Sequence, residues 1–433
     1  MNILMLAHFA GSPRHGMVFG HYYLAREWVR RGHTVTIVAS SFVHTRHQQP
    51  ELKGLVTTET IDGIRYIWLR NFRYAPLSRL GRVANILGFT AMTWLAKSAY
   101  GRCDAVVCSS HHPLPIYTAA YIARRDRARL VFEVRDLWPL TLIELGSASP
   151  RHPLIALMQK AEDYAYARAD AVVSVLPQSK DYMMSRGMAG EKFIYIPNGV
   201  PGERKDEGTP PPRLPFVHRK VLSELKAQGR RLIGYTGRIG LAQVLDAAVL
   251  SLRRVKDPRW ALVVLGMGPH RDRLRQIAAE AGVADRLFVL EPVPQPQVAE
   301  FLGSMDIAYL GLQDKPLFRY GVSPTKLNDY LLAERLVIAA INARVEAIEY
   351  SGAGVVCAPE EHAIAAAIDR LGSLPDAERA AMGRRGRAWL IEHRSYEALA
   401  GRFMEVLSAR EAPAAPTVAP AKATADNAVT KQA

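Results

Sequence analysis

The chain has 433 residues, 49% of them hydrophobic, and a formal net charge of +15. That is apolar material for two or three cores, with a basic excess suited to phosphorylated substrates, anionic lipid or nucleic acid. Zinc-knuckle spacing and an aromatic RNA-binding signature are absent, so no specific nucleic-acid partner is expected, and the three cysteines (Cys103, Cys108 and Cys357) form no disulfide framework and point to a reducing compartment.

MNILMLAHFAGS, at the start, lacks a basic n-region and a long apolar h-region and reads as a first strand, not a signal peptide. Further strands are expected at HTVTIVAS, DAVVCSS, RLVFEVRD, DAVVSVLP and FIYIPNGV, with helices between them at HYYLAREWVRR and PLIALMQKAEDYAYARA. VTTETIDGIRYIWLR reads as a hairpin on an Asp-Gly turn. Pro, Gly and charge then dominate residues 201–229, the expected linker. Strands resume at RLIGYTG, WALVVLG, RLFVLEP, DIAYLGL, RLVIAA and GAGVVCAP. Such alternation predicts an α/β chain with two tandem doubly wound, Rossmann-like domains, 1–200 and 230–389, facing a shared cleft. Roughly 375–410 reads as helical, and the Ala/Pro-rich tail 411–433 as disordered. No run of 18 apolar residues exists, so no transmembrane helix is expected.

In such a fold, ligand groups come from loops that follow strands. After the first strand, Gly11 and Gly16 would let backbone amides approach a phosphate, or merely make a turn. His111 and His112 follow DAVVCSS and suit a sugar hydroxyl, the alternative being surface or helix-capping histidines. No carboxylate stands at ligand spacing from them, so no metal is expected. Asp136 ends the strand carrying Glu133 and Arg135, where a carboxylate can accept a hydrogen bond from an acceptor alcohol; a structural Arg-Asp pair is the alternative.

In the second half, Arg238 follows GYTG and suits bidentate phosphate recognition. Gly266 and Gly268 make a second glycine loop, and Val293-Pro294 could present backbone groups to a nucleobase. In GVSPTKLNDYLL, Ser323 reads as an N-cap and Pro324 as the first helical residue. Lys326 in a first turn runs against the usual preference for acids there, as an anion seat would require. Asp329, one turn on, can hold a ribose diol; an ordinary Lys-Asp surface pair is the alternative.

EVRDLWPLTLIELG (133–146), IPNGV (196–200), GYTGRIGLAQVLDAA (234–248) and GVSPTKLNDYL (321–331) resemble the retaining GT-B glycosyltransferases of family 4, in the group that builds bacterial cell-surface polysaccharides such as capsule, O-antigen and exopolysaccharide. The resemblance spans residues 1–408. It implies a nucleotide-sugar on the C-terminal domain, an acceptor on the N-terminal one, and a last helix, about 390–408, crossing back to the first domain. It carries diphosphate binding onto Arg238 and Lys326, ribose binding onto Asp329, and an acceptor-side histidine onto His111 or His112, with His112 slightly favoured. It further implies a hexosyl or N-acetylhexosaminyl transferase using a nucleoside diphosphate sugar, a UDP-sugar first, with no cofactor and no metal. The acceptor would be a saccharide or polyprenyl-linked saccharide. Three departures stand out: Asp329 where many relatives have Glu, Ile239-Gly240-Leu241 where many have a Lys, and Gly321 where a sugar-contacting acid often occurs.

Two alternatives share the fold: a UDP-N-acetylhexosamine epimerase, and a catalytically silent nucleotide-sugar-binding protein. The expected location is the cytoplasm. Arginines 65, 70, 73, 79 and 82 precede VANILGFTAMTWLA, which is too short to span a bilayer. That segment reads either as a buried helix or as a peripheral contact with the anionic inner face of the cytoplasmic membrane.

Overall fold

A computed structural model describes residues 1–16, 20–75, 78–146, 148–201 and 213–409. The tail 411–433 and residues 202–212 of the expected linker lie outside the described residues.

The first sheet contains β1 (Asn2–Leu6), β2 (Thr34–Ser40), β3 (Val56–Ile61), β4 (Ile64–Leu69), β5 (Ala105–Ser110), β6 (Arg129–Val134), β7 (Ala171–Ser174) and β8 (Phe193–Tyr195). Its order is β3-β4-β2-β1-β5-β6-β7-β8. All pairs are parallel except the β3–β4 hairpin, whose Asp62 and Gly63 both have positive φ (50° and 77°), as its two-residue turn requires. Because helices cover both faces, the central strands are apolar on both sides, whereas the edge strand β3 (VTTETI) is not. Leu4 and Leu6 of β1 pack with Phe89 and Ile116, whereas Ile3 and Met5 pack with Trp28 and Phe403.

The second sheet contains β9 (Arg231–Thr236), β10 (Trp260–Leu265), β11 (Leu287–Leu290), β12 (Ile307–Gly311), β13 (Leu336–Ala340) and β14 (Gly354–Cys357), in the order β11-β10-β9-β12-β13-β14 and parallel throughout.

Two expectations change here. Within the stretch read as linker, Phe216–Ala227 is a helix, because Leu222 and Leu225 find places in the second core beside Phe301. The returning helix starts at Tyr396, not near 390. Leu390 still packs in the second core, and extended Ser395 breaks the chain before its hydroxyl caps the helix Tyr396–Ser408 through the Ala398 amide (3.3 Å). That last helix buries Leu399, Phe403, Val406 and Leu407 in the first domain. The two crossings run side by side: the Val200 amide donates to the Arg394 carbonyl (2.8 Å) and the Tyr396 amide to the Val200 carbonyl (2.9 Å).

Strand order reverses between β1 and β5 in one sheet and between β9 and β12 in the other. Crevices for ligands open at such points, outside the carboxyl ends of the strands. The loops carrying His8, His111 and His112 leave the first of these points, and the loop carrying Arg238 leaves the second.

Candidate active site

The second-domain side is built on glycines. Gly237 at the exit of β9 has φ 120°, a conformation few other residues adopt. A Cβ on Gly266 would lie 1.8 Å from the Gly237 carbonyl oxygen, and one on Gly268 would lie 2.0 Å from that of Ile239. The Gly266–Gly268 loop is thus pressed backbone to backbone on the Arg238 loop, and the Gly266 amide is occupied by the Leu290 carbonyl (3.2 Å). The close approach of the two loops is thus what Gly266 and Gly268 permit, and the Gly266 amide already has a protein partner. Gly266→Ala is accordingly expected to push the Arg238 loop aside. We expect a stability loss of about 2 kcal/mol in urea unfolding.

Arg238 is exposed, and its guanidinium makes no hydrogen bond or ion pair among the described residues, while its carbonyl accepts from the Tyr235 hydroxyl (2.6 Å). That same hydroxyl accepts from Lys326 Nζ (3.0 Å), and the ammonium lies 4.3 Å from the centre of the Tyr235 ring. Tyr235 therefore joins the Lys326 ammonium to the backbone of Arg238. No carboxylate forms an ion pair with Lys326 among the described residues; Asp329 shares its helix without closing to it. Burial lowers the Lys326 ammonium to about 8, with Asp329 pulling the other way, and burial raises the Asp329 carboxyl to about 6 against Lys326. A half-buried cation without an ion-pair partner among the described residues, next to the loop that carries Arg238, is an arrangement that could take an anion.

The helix behind this seat begins at Thr325, with Pro324 as its N-cap residue. Ser323, expected as the cap, instead hydrogen-bonds across the cleft: Asn198 Nδ2 donates to its hydroxyl (3.0 Å) and its carbonyl (3.2 Å). Gly321 has φ 92°, and a Cβ there would lie 2.5 Å from Pro177 Cδ of the first domain. The Gln178 amide also donates to the Tyr320 carbonyl (3.1 Å). Close contact between domains, at a backbone angle suited to glycine, occupies the position where an acid was absent.

On the first-domain side, His112 is buried and His111 half-buried. Asn85 Nδ2 donates to the Phe72 carbonyl (2.7 Å), so its Oδ1 accepts from His8 Nε2 (2.8 Å). His8 Nδ1 then accepts from His112 Nε2 (2.7 Å), leaving His112 Nδ1 without a partner. Burial lowers both His111 and His112 to about 3, with Arg135 adding to the shift at His111, so both rings are neutral at ordinary pH. The more accessible ring is thus His111, which lies against Phe9 (4.8 Å between centroids).

Beside them runs a polar chain that only partly showed in the sequence. Buried Glu133 accepts from His21 Nε2 (3.0 Å) and Arg135 Nη1 (3.2 Å). Arg135 Nη2 donates to Asn198 Oδ1 (2.6 Å), and Asn198 reaches Ser323. Burial would raise the Glu133 carboxyl, yet His21 and then Arg135 hold it well below its ordinary value. Asp136 follows Arg135 with no side-chain hydrogen bond or ion pair among the described residues, and its carboxyl is raised by the surrounding protein, with Arg135 opposing.

Arg238, Lys326, Asp329, Gly266 and Gly268 therefore gather at one switch point, and His111 and His112 at the other, with Asp136 exposed one strand away past β6 and Ser323 tied across. Of the remaining expected groups, the Gly16 amide closes its own turn onto Pro13 (3.3 Å), and Val293-Pro294 follows the edge strand β11, with Pro294 exposed. Sequence reading assigned no role to His8, His21, Asn85, Asn198 or Tyr235. Asn198 and Tyr235 lay inside quoted motifs, which was the signal available for them.

Comparisons with known proteins agree with this architecture. Residues 16–199 match the glycosyl transferase 4-like domain, and residues 219–389 the glycosyl transferases group 1 family. The probable glycosyltransferase WbjE of Pseudomonas aeruginosa is 24% identical over 276 residues, 62% of this chain and just under two thirds (66%) of WbjE. The putative colanic acid biosynthesis glycosyl transferase WcaI of Escherichia coli K12 is 22% identical over 350 residues, 76% of this chain and 80% of WcaI. The crystal structure of Anabaena HepE in complex with UDP shares the fold, with a TM-score of 0.62 and 17% identity over 94% of this chain and 100% of that one. Its first domain thus belongs with the glycosyl transferase 4-like domains and its second with the glycosyl transferases group 1, the two-domain make-up of the GT-B glycosyltransferases of the family 4 type.

Proposed function

We propose that this protein transfers a hexosyl or N-acetylhexosaminyl group from a nucleoside diphosphate sugar, a UDP-sugar, to a saccharide or polyprenyl-linked saccharide. The transfer proceeds with retention of configuration, in the cytoplasm, during surface polysaccharide assembly. The observation carrying this reading is the pair of cations, Arg238 and Lys326, gathered on a glycine-built seat without a carboxylate partner. WbjE and WcaI are named as glycosyltransferases, WcaI in colanic acid biosynthesis, and HepE was solved with UDP; these names support the donor and the pathway class.

In this mechanism Arg238 and Lys326 neutralise the departing diphosphate, the charge work that a metal does elsewhere. Asp329 accepts hydrogen bonds from the ribose diol. Neutral His111 positions a sugar hydroxyl, and Asp136 accepts from the acceptor alcohol. The bond from the anomeric carbon to the phosphate oxygen breaks while the acceptor oxygen bonds to the same face. The acceptor proton passes to the departing phosphate oxygen, so no protein nucleophile is needed.

Calorimetric titration of UDP, GDP and ADP with EDTA present is expected to show UDP binding tightest and insensitive to the chelator. Its pH profile follows from the two shifted groups. Below about 6 Asp329 is protonated and loses an acceptor for the ribose; above about 8 the free protein's Lys326 is neutral, and binding must recharge it. Affinity is therefore greatest between about 6 and 8, with proton uptake on binding near the upper limit. Binding to none of the three nucleotides would overturn the donor assignment. Gly321 and the missing Lys after Arg238 favour the silent binder as second reading; UDP binding without turnover across several acceptors would select it.

A further inference from the structure

The helix Arg79–Leu95 is apolar on both sides. Its inner face buries Asn85, Ile86, Phe89 and Thr93, and Phe89 stacks on His8 at 4.3 Å. Its outer face exposes Leu80, Ala84, Leu87, Ala91, Trp94 and Leu95. The repeat of three and four residues makes this one continuous stripe, with Leu80 84% and Leu95 69% exposed. Phe72, 61% exposed, extends the stripe, since its ring lies over Gly88.

The stretch of chain that carries the stripe has charge of one sign. From Gly63 to Cys103 the chain has no Asp or Glu but seven cations: Arg65, Arg70, Arg73, Arg79, Arg82, Lys97 and Arg102. Arg79 and Arg82 stand in the first turn, where the helix dipole disfavours cations and where no acid is present. Lys97 caps the other end, 4.4 Å from the centre of the Trp94 indole. Next to Phe72, Arg70 and Arg73 line an open cavity of about 690 Å³ with Ser41, Phe42, Gln49 and Asn71, and Glu51 is the one acid on its wall. Among the described residues no helix is long and apolar enough to cross a membrane.

We propose that this face docks the protein on an anionic lipid bilayer, with Leu80, Leu87, Trp94 and Leu95 in the acyl boundary and the arginines among headgroup phosphates. Charge complementarity selects the occupant: an apolar protein partner does not call for a strongly basic rim, whereas an anionic membrane surface does. Through Phe89 and Asn85 the docked helix bears directly on His8 and the acceptor crevice, so a lipid-linked acceptor would be presented there. The inference deepens the acceptor side of the proposed function but rests on different residues from the donor seat.

The test is flotation with vesicles of phosphatidylcholine alone or mixed with phosphatidylglycerol, without any sugar donor. Binding to the mixed vesicles, weakened by salt, is expected. The Leu87→Glu/Trp94→Glu variant and, separately, the Arg73→Ser/Arg79→Ser variant should each lose about tenfold or more in partitioning, with circular dichroism and UDP affinity unchanged. No binding of the wild type to mixed vesicles, or equal binding by both variants, overturns the proposal. So does self-association of the wild type that the Leu87→Glu/Trp94→Glu variant abolishes, which would make the stripe a contact between copies of the chain. Failure here with UDP binding intact leaves the glycosyl-transfer reading standing.

Discussion

Lys326→Ala is expected to weaken UDP binding about 100-fold and to lower kcat/KM by roughly 10²–10³-fold, while the unliganded protein becomes no less stable. The first part follows from removing a charge-assisted contact to a diphosphate in a partly desolvated site, about 3 kcal/mol. The second follows from the apo electrostatics. The folded-state value of Lys326 is depressed to about 8 by burial, so holding its charge opposes folding below that pH, and wild-type stability recovers as pH rises from about 8 toward the ordinary lysine value. Alanine removes both the opposition and its pH dependence. Calorimetry with UDP and urea unfolding from pH 7 to 10 measure the two parts. Unchanged UDP affinity with lost stability would make Lys326 an ordinary structural cation and remove the chief support for the donor seat.

Glu133→Gln is expected to destabilise the protein by about 3 kcal/mol, because it leaves His21 and Arg135 buried without their shared anion. The sign of the pH effect is opposite to that at Lys326. A carboxylate held well below its ordinary value contributes stability that is present above the ordinary carboxylate range and lost as pH falls through it. The variant should therefore show a flatter acid limb in chemical unfolding. Because Arg135 also holds Asn198, and Asn198 holds Ser323, loosening Arg135 should reduce turnover even with saturating donor. Wild-type stability and turnover in Glu133→Gln would show that the cross-cleft chain is incidental.

The arginines ahead of the stripe illustrate how sequence and structure divide the problem. Composition and spacing displayed the cations and an apolar segment, but not which side of that segment faced outward; a helix apolar all round has no period to read. The histidine pair behaved likewise. His111 and His112 are adjacent in sequence and equivalent by composition, and the turn after β5 sends one toward His8 and leaves the other at the crevice.

What the sequence determined by itself was whatever depends on local pattern. Alternating apolar runs and helical segments specified fourteen strands and two parallel sheets, and Asp62-Gly63 specified the hairpin. The GYTGR and SPTKLND stretches pointed to the proposed donor seat, since glycine loops and a misplaced first-turn lysine carry their own physical reason. Tertiary structure alone decided everything that joins residues far apart in the chain. It took Ser323 from its cap to Asn198, pressed Gly321 on Pro177, ended the second domain at Ser395, and joined His21, Glu133 and Arg135 to the cleft. The physical reason is that a buried polar group must be satisfied by whichever partner the packing brings within about 3 Å, and no periodicity along the chain encodes which partner that will be.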